Sequence, residues 1–480
     1  MEESMMMEEG EVAPALIAIH PVEKSVVVAI GSELRVFDLQ EDCASSLVDD
    51  SGRPLHMDSI RAISFGADGR LFVSAGDDKL VKIWTTNPWH CIRTVLSEKR
   101  VSALAISPDN LFVSFADKFG VVWVVSTEVD DERKDEASPI FAHYCSIITS
   151  LEFSPDGRFI VSADRDFKIR VTVFPKRPLS GAHEIQSFCL GHTEWVFVII
   201  TIFISTFWHF VICIEKVTGR FSFEFASHSF FAVRFVTCLS FVCTQEYPQG
   251  FLLSGSGDST VRLWDITSGF LLDTCEVGME AGLLESDDKE ETLCPAITDI
   301  CASPDGSLIA VAIQRQLFMT NPISFFALCS LHGVVLLSCN LSGRTLSITK
   351  VVSMGGTFIP TSLAMSSSAE HLWIVTGASN LPALDSPSFA RVSVISGLKK
   401  HGSDSSDDKP VVLDDNEIPG GSKLLEKLQG SVSISKGEEA LAAAAEAVKI
   451  AMRNLLIKRQ YSVEKRELRK KSRNDRKLKQ

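Results

Sequence analysis

The 480-residue sequence predicts an all-β fold, a seven-bladed β-propeller followed by a basic helical tail. Three observations predict it. Apolar and polar residues alternate in short runs, as they do in half-buried strands. Turn dipeptides such as Asp156-Gly157 and Asp305-Gly306 punctuate the runs. The whole pattern recurs roughly every 40 residues, a period that belongs to stacked or ring-like repeat folds.

The copies run in order along the chain. The first is IAIHPVEKSVVVAIGSELRVFDL (17–39) and the second HMDSIRAISFGADGRLFVSAGDDKLVKIW (His56 to Trp84). The third is VSALAISPDNLFVSFADKFGVVW (101–123) and the fourth HYCSIITSLEFSPDGRFIVSADRDFKIRVT (143–172). A fifth has its head in GHTEWV at Gly191 and its end in FLLSGSGDSTVRLWDI (Phe251 to Ile266). The last two are ITDICASPDGSLIAVAI (297–313) and TSLAMSSSAEHLWIVTG (361–377). The spacing and the Trp264-Asp265 ending resemble the WD-repeat propellers. That resemblance carries over a structural tetrad, His56, Ser74, Asp78 and Trp84 in the second copy and His192, Ser254, Asp258 and Trp264 in the fifth. A hydrogen-bonded set of this kind satisfies polar groups that would otherwise cost about 1–3 kcal/mol each when buried. Because the set recurs from copy to copy, it reads as structure and not as catalysis.

The propeller is expected over residues 14–399, after a disordered stretch at 1–13. A flexible acidic linker follows at 400–435, on the polar composition of KHGSDSSDDKPVVLDDNEIPGGS. Residues 436–480 hold strong helix formers. This tail reads either as a solvated helix or as an RNA-contacting arm or nuclear-localisation segment. From Lys449 to Gln480 there are 13 Lys/Arg against three Asp/Glu, whereas the whole chain carries −14. Only the tail is therefore suited to an anionic partner. The charged runs DDERKDE (130–136) and ESDDKEE (285–291) fall between blades and read as solvated loops.

The 12 cysteines contain no C-x-x-C pair and no zinc spacing, so no metal site is expected and reduced thiols in the nucleus or cytoplasm are. The acidic start MEESMMMEEGE lacks the features of a signal peptide. One segment suggests a membrane, EWVFVIITIFISTFWHFVICIEK (194–216), with no formal charge from Val196 to Ile214. The repeat register argues otherwise. Deleting 197–236 gives GHTEWVTCLSFV, with Leu239 and Phe241 at the offsets from His192 that Ile63 and Phe65 have from His56. A spanning helix would put the strands of one blade on opposite sides of a bilayer. The segment 197–236, which holds ten of the 30 Phe, reads as a non-native insert (a translated intron or gene-model error) or as a genuine loop or partly buried helix. A similar break at 315–329 reads as an insert or an elongated loop.

No G-x-S-x-G elbow, P-loop, Rossmann glycine fingerprint or H-E-x-x-H pair is present, and no catalytic residue is expected. The distinctive pieces are SADRDFKIRV (Ser162 to Val171) and IQSFCLGHTEWV (185–196). Thr172 stands where the fourth copy should carry its Trp. Lys168 and Arg170 alternate onto one face of an extended strand, expected to be an outer or edge strand, as a site for an acidic partner surface.

With FLLSGSGDSTVRLWD, these motifs resemble the WD-repeat non-catalytic subunits of eukaryotic tRNA (guanine-N7)-methyltransferase, over roughly residues 14–395. The resemblance implies a nuclear or cytoplasmic heterodimer with a catalytic methyltransferase subunit. That partner would bind S-adenosylmethionine, leaving this chain without a cofactor, and would modify a guanosine of the tRNA variable loop. It implies tRNA contact mainly through the complex, and an interface at Arg165, Lys168 and Arg170, with Glu194 and Trp195 beside it. Asp166 falls at the tetrad aspartate by offset and is a candidate for either role. The alternative classes are a substrate receptor of a cullin-type ubiquitin ligase and a generic nuclear scaffold. The first is disfavoured because Ile266 and Thr267 follow Trp264-Asp265 and no copy offers W-D-x-R.

Overall fold

Each copy folds as a four-stranded antiparallel meander, and a computed structural model assembles seven such sheets among the residues it describes. Those residues are 12–47, 55–128, 137–143, 146–180, 184–192, 236–280, 295–315, 333–354, 359–380, 388–398 and 410–429. Blade two is Ile60–Phe65, Leu71–Gly76, Leu80–Thr86 and Trp89–Leu96, from the channel outward. Blade four is Ile148–Phe153, Phe159–Asp164, Ile169–Val173 and Glu184–Cys189. The same register recurs in both: Ser74 faces Lys82 and Ser162 faces Arg170 across the second and third strands.

The hairpins are fixed by local chemistry. In the Ser-Pro-Asp turns of blades three, four and six, the serine hydroxyl accepts from an amide five residues on, Phe112, Phe159 or Leu308, at 3.0 Å. The same hydroxyl donates to the turn aspartate, Asp109, Asp156 or Asp305. Gly157, with φ +70°, holds a left-handed position that a side chain would strain.

Blades meet through apolar faces. Val73, Val81 and Ile83 of blade two pack with Leu104, Val113 and Phe115 of blade three. Threonines on the inner strands add a second tie. Thr149 donates to the Val236 carbonyl of blade five at 2.7 Å, Thr298 to Pro360 of blade seven at 2.9 Å, and Thr361 to Ala15 of blade one at 2.8 Å. Each hydroxyl thus ties one blade's inner edge to a backbone carbonyl of the next blade.

Closure of the ring uses both ends of the chain. Ala13–Pro14, at the edge of the stretch expected to be disordered, pairs with Ala378 and Ser379 on the inner side of blade seven. The expected linker 400–435 is corrected over its described part. Val411–Val412 form blade seven's outer strand, and Gly421–Gln429 form a helix. Leu424, Leu425 and Leu428 of that helix are buried against Phe37 of blade one and Val392 and Val394 of blade seven. Arg35 donates to the Leu428 carbonyl at 3.1 Å, and Gln429 donates to Val392. The acidic composition around it hid a short amphipathic clasp.

Both suspected inserts begin or end inside strands. Val236 is the first residue of blade five's inner strand Val236–Val242, paired with Ser256. Arg315 closes Leu308–Arg315, paired with Pro295. The remainder of both segments and the tail 436–480 lie outside the described residues, as does the apolar run from Glu194. Among the described residues no helix is long and apolar enough to cross a membrane.

The inner strands enclose a channel of about 490 Å³. Burial in its wall pushes the Glu152 carboxyl up to about 8, with the Asp299 charge adding to the effect. Asp299 is itself raised to about 6 by burial, against hydrogen bonds from the amides of Leu363 and Ile300.

Two predictions follow from this architecture. Leu424→Ala removes a fully buried side chain from the seam and should lower stability by about 2–5 kcal/mol, read as a lower urea midpoint. A carboxyl raised in the fold holds a proton that the unfolded chain releases, so its contribution is full at low pH and is lost as pH rises. Glu152→Gln should therefore flatten the fall in melting temperature between about pH 5 and pH 8; parallel curves for the two proteins would count against this.

Candidate functional site

Two of the proposed tetrads form as hydrogen-bonded chains. His56 meets Asp78 at 2.7 Å and Ser74 at 2.8 Å, and Trp84 Nε1 donates to Ser74 at 3.0 Å. His192 meets Asp258 and Ser254 at 2.8 Å each, and Trp264 Nε1 donates to Ser254 at 2.8 Å. Burial would raise these aspartates. The bond from histidine and the turn amides outweighs it and holds Asp78 and Asp258 below their ordinary range.

Blade four builds the same chain with a different aspartate. His143 meets Ser162 and Asp164 at 2.8 Å each, so Asp164 takes the role that the offset gave to Asp166. Asp164 also accepts from the amides of Asp166 and Lys168, at 2.8 and 3.1 Å, which folds the turn around its carboxylate. Its pKa is lowered in the same way, burial opposing and the His143 bond and turn amides prevailing. Asp166 is half-buried in that turn. At the vacant tryptophan place, the buried Thr172 hydroxyl finds no hydrogen-bond partner among the described residues.

The cationic pair separates. Ile169–Val173 is the third of four strands and not an edge, and Arg170 is only 7% exposed. Its guanidinium lies 4.6 Å from the Phe141 ring centroid and donates to the Ala142 carbonyl at 3.3 Å. Its Nε and Nη2 have no hydrogen-bond partner among the described residues, and burial lowers its pKa. Lys82 and Arg262 occupy the same register position opposite the tetrad serine, and both are buried. A buried cation here is a feature of the repeat. Lys168, in contrast, is exposed. Arg165 turns toward the channel and lines it. Glu194 and Trp195 lie outside the described residues.

The true outer strand is Glu184–Cys189. Cys189 pairs with Ile169, which sets Leu190 beside Lys168 at the end of the sheet. Phe188 is 43% exposed and Leu190 64%. Exposed Ile185 continues the apolar surface down the same strand. Phe270 and Leu271 of blade five are exposed as well, and Ser187 and Gln186 donate across to the carbonyls of Ile266 and Thr267 in the neighbouring hairpin. An apolar edge with one cation at its end is thus the surface that blade four offers. The alternation ILE-polar-polar-PHE in IQSFCL carried this signal, but nothing in it said which strand was outermost.

One family model matches this blade and a second matches blades two and five. The model described as tRNA methyltransferase TRM82 WD40 domain matches residues 132–205, which include the DRDFKIR turn and the outer strand. The WD domain, G-beta repeat, matches 53–85 and 219–265. The chain is a WD-repeat propeller that is similar, over part of its length, to proteins named as non-catalytic subunits of tRNA (guanine-N(7)-)-methyltransferase. The subunit named wdr4 of Dictyostelium discoideum is 27% identical over 57% of this chain and 51% of its own length. WDR4 of Homo sapiens is 31% identical over 46% of this chain and 40% of its own. The Xenopus laevis wdr4 is 26% identical over 78% and 77%. The chain thus spans about half the length of the first relatives it matches. Among solved structures, U3-55K superposes with a TM-score of 0.53 at 16% identity, over 76% of this chain and 88% of that one, a likeness of fold alone.

The WD-repeat tetrad of blade four provides a discriminating test. Asp164→Ala strands a buried histidine and two turn amides, and should cost about 1–3 kcal/mol, whereas Asp166→Ala should cost less. Because the Asp164 carboxylate is held low in the fold, its contribution is present above the ordinary carboxylate range and lost as pH falls below it. Melting curves of both variants at pH 7 and pH 3 should show the gap between them shrinking in acid.

Proposed function

We propose that this chain is the non-catalytic subunit of a tRNA (guanine-N7)-methyltransferase, in which it binds, stabilises and positions a catalytic subunit that carries S-adenosylmethionine. The observation that carries the reading is the outer edge of blade four, where exposed Phe188 and Leu190 flank Lys168 within the stretch matched by the TRM82 domain model. The relatives whose printed names give this role support it. An apolar centre with a charged end suits a stable protein interface, where buried apolar anchors supply affinity and charge supplies orientation. The acidic net charge of −14 is consistent with tRNA phosphates being held mainly by the catalytic partner. Assembly as a heterodimer in the nucleus belongs to the same proposal.

The buried position of Arg170 decides how to test it. Reversing that charge would damage the blade itself, so the informative variant is Lys168→Glu with Leu190→Asp, both at exposed positions. Co-expressed with a tagged catalytic subunit, the double variant should be recovered about tenfold less than the parent chain while keeping its melting temperature. Undiminished recovery would refute the docking edge. Failure of the parent chain to co-purify with that subunit, or to support N7-methylguanosine formation in tRNA, would refute the function.

A further inference from the structure

The docking edge of blade four is too small to hold a protein partner alone. It consists of the six-residue strand Glu184–Cys189 with Leu190 and Lys168 beside it. A stable interface takes about 20–30 residues from each side. The partner must therefore cover further surface, and that surface must adjoin the edge.

One face of the ring adjoins it. In each four-stranded meander, the connection into the inner strand and the turn between the second and third strands lie on the same side. On that side a chain of contacts leads from Lys168 to blade two. Asp164, which accepts from the Lys168 amide, meets His143 at 2.8 Å. The His143 amide donates at 2.7 Å to the carbonyl of Gly120, in the turn of blade three. Phe119 precedes Gly120, and the Lys99 ammonium lies 5.4 Å from its ring centroid. Lys99 and Leu96 belong to the connection out of blade two, where the Ser97 amide donates to the Lys79 carbonyl at 2.8 Å. The turn of Lys79 also holds Asp78, whose carboxylate accepts from the Met57 amide at 3.1 Å.

The fold does not account for the apolar side chains on this path. Met57 is 81% exposed, Leu96 73% and Phe119 60%. Phe119 is the third residue of its turn, the place that Asp78, Asp166 and Asp258 hold in blades two, four and five. In blade three Asp117 already accepts from the amides of Phe119 and Val121 and from Trp123 Nε1. No acid is needed at 119, and a phenylalanine left in solvent there points to a surface that something covers.

Charge separates in the same way. The turn carboxylates are directed inward, Asp78 and Asp164 to histidines and Asp117 to Trp123. Lys79, Lys99 and Lys168 are exposed, and Glu98 is an exposed acid among them. A chain of net charge −14 thus presents, on this side of blades two to four, apolar side chains set among lysines. Such a surface is complementary to an amphipathic helix whose apolar stripe is flanked by Asp and Glu. Met57 and Leu96 have no π-face on which a nucleobase could stack, so the chemistry favours a protein over RNA.

We propose, on the basis of the function given above, that this side of blades two and three is the second half of the docking surface, occupied by an acidic amphipathic helix of the catalytic subunit. Met57, Leu96 and Phe119 are its apolar contacts, and Lys79 and Lys99 orient it.

The test uses the full-length chain in complex with the tagged catalytic subunit. Leu96→Asp with Phe119→Asp, both at exposed positions, should raise the dissociation rate at least about tenfold while keeping the melting temperature of the parent. Lys79→Gln with Lys99→Gln should instead slow association by about threefold or more and make it less sensitive to salt. With p-benzoylphenylalanine in place of Leu96, irradiation should join the chain to a peptide of the catalytic subunit rich in Asp and Glu, as identified by mass spectrometry. An unchanged dissociation rate for the Leu96→Asp, Phe119→Asp chain would overturn this second site. If Lys168→Glu with Leu190→Asp still disrupts the complex, the blade-four edge and the function stand without it. Cross-linking to added tRNA in place of the catalytic subunit would also overturn it. Should the Leu96→Asp, Phe119→Asp chain melt below the parent, the cross-link decides. A parent chain that forms no complex would refute this site and the function together.

Discussion

The structure depends on closing a ring. Seven twisted sheets bury their faces only if blade seven meets blade one, and the backbone of each inner strand must find partners across that seam. Here the seam is held at two depths. On the channel side, Ala13–Pro14 complete the inner side of blade seven before the chain crosses into blade one, and Thr361 donates to the Ala15 carbonyl. On the outside, Leu424 and Leu428 of the helix Gly421–Gln429 fill the groove between Phe37 and Val394. Sequence-distant segments thus meet at one place, and loop-closure entropy is spent there once for the whole ring.

Within each blade, the tetrad solves a local problem that closure creates. Packing a sheet edge against its neighbours buries the hairpin between the second and third strands, together with its amides. The aspartate takes up those amides, and the histidine bridges it to the serine beneath. Blade four shows that the requirement is for a carboxylate within reach and not for one sequence position. In blade two Gly76 occupies the place of Asp164, and a side chain there would meet the Ser59 carbonyl at 2.2 Å. Blade four carries its acid at that place, paired with Ile148 as Gly76 is paired with Ile60. The register position opposite the serine then holds Lys82, Arg170 or Arg262, each buried. This leaves Lys168 at the end of the sheet as the cation of the DRDFKIR turn exposed to a partner.

Much of this was legible in the residues. The seven copies, the histidine-to-serine spacing and the tryptophans located both complete tetrads, because alternation and turn chemistry repeat where the fold repeats. What failed was position within the blade. Alternation states that Lys168 and Arg170 share a face, yet it cannot say that this strand is third of four and covered by Phe141 of the preceding blade. For the same reason, Phe188 and Leu190 gave no sign of being exposed, since apolar strand residues are normally core. The closing helix was hidden by scale: nine residues with three buried leucines lie in a stretch whose composition is dominated by Asp, Ser and Gly.

Blade five shows how little the fold constrains what lies between two fixed points. His192 and Val236 are separated by 43 residues, whereas three separate His56 from Ile60. Even so, His192 reaches Asp258 at 2.8 Å, and Val236 pairs with Ser256 as Ile60 pairs with Gly76. The entropic cost of the longer connection grows only with the logarithm of its length, roughly 2 kcal/mol for this difference, and the tetrad with its buried neighbours can offset that. The ends of the segment are also interchangeable. Both Val196 and Val236 are valines, so excising 197–236 or 196–235 yields one and the same chain, with a valine entering the strand four residues after the histidine. A chain without the Phe-rich segment would therefore build the same blade from the same residue types. Blade five consequently places no demand on 193–235 beyond returning to the same edge, and the apolar run there needs no bilayer to account for the fold around it.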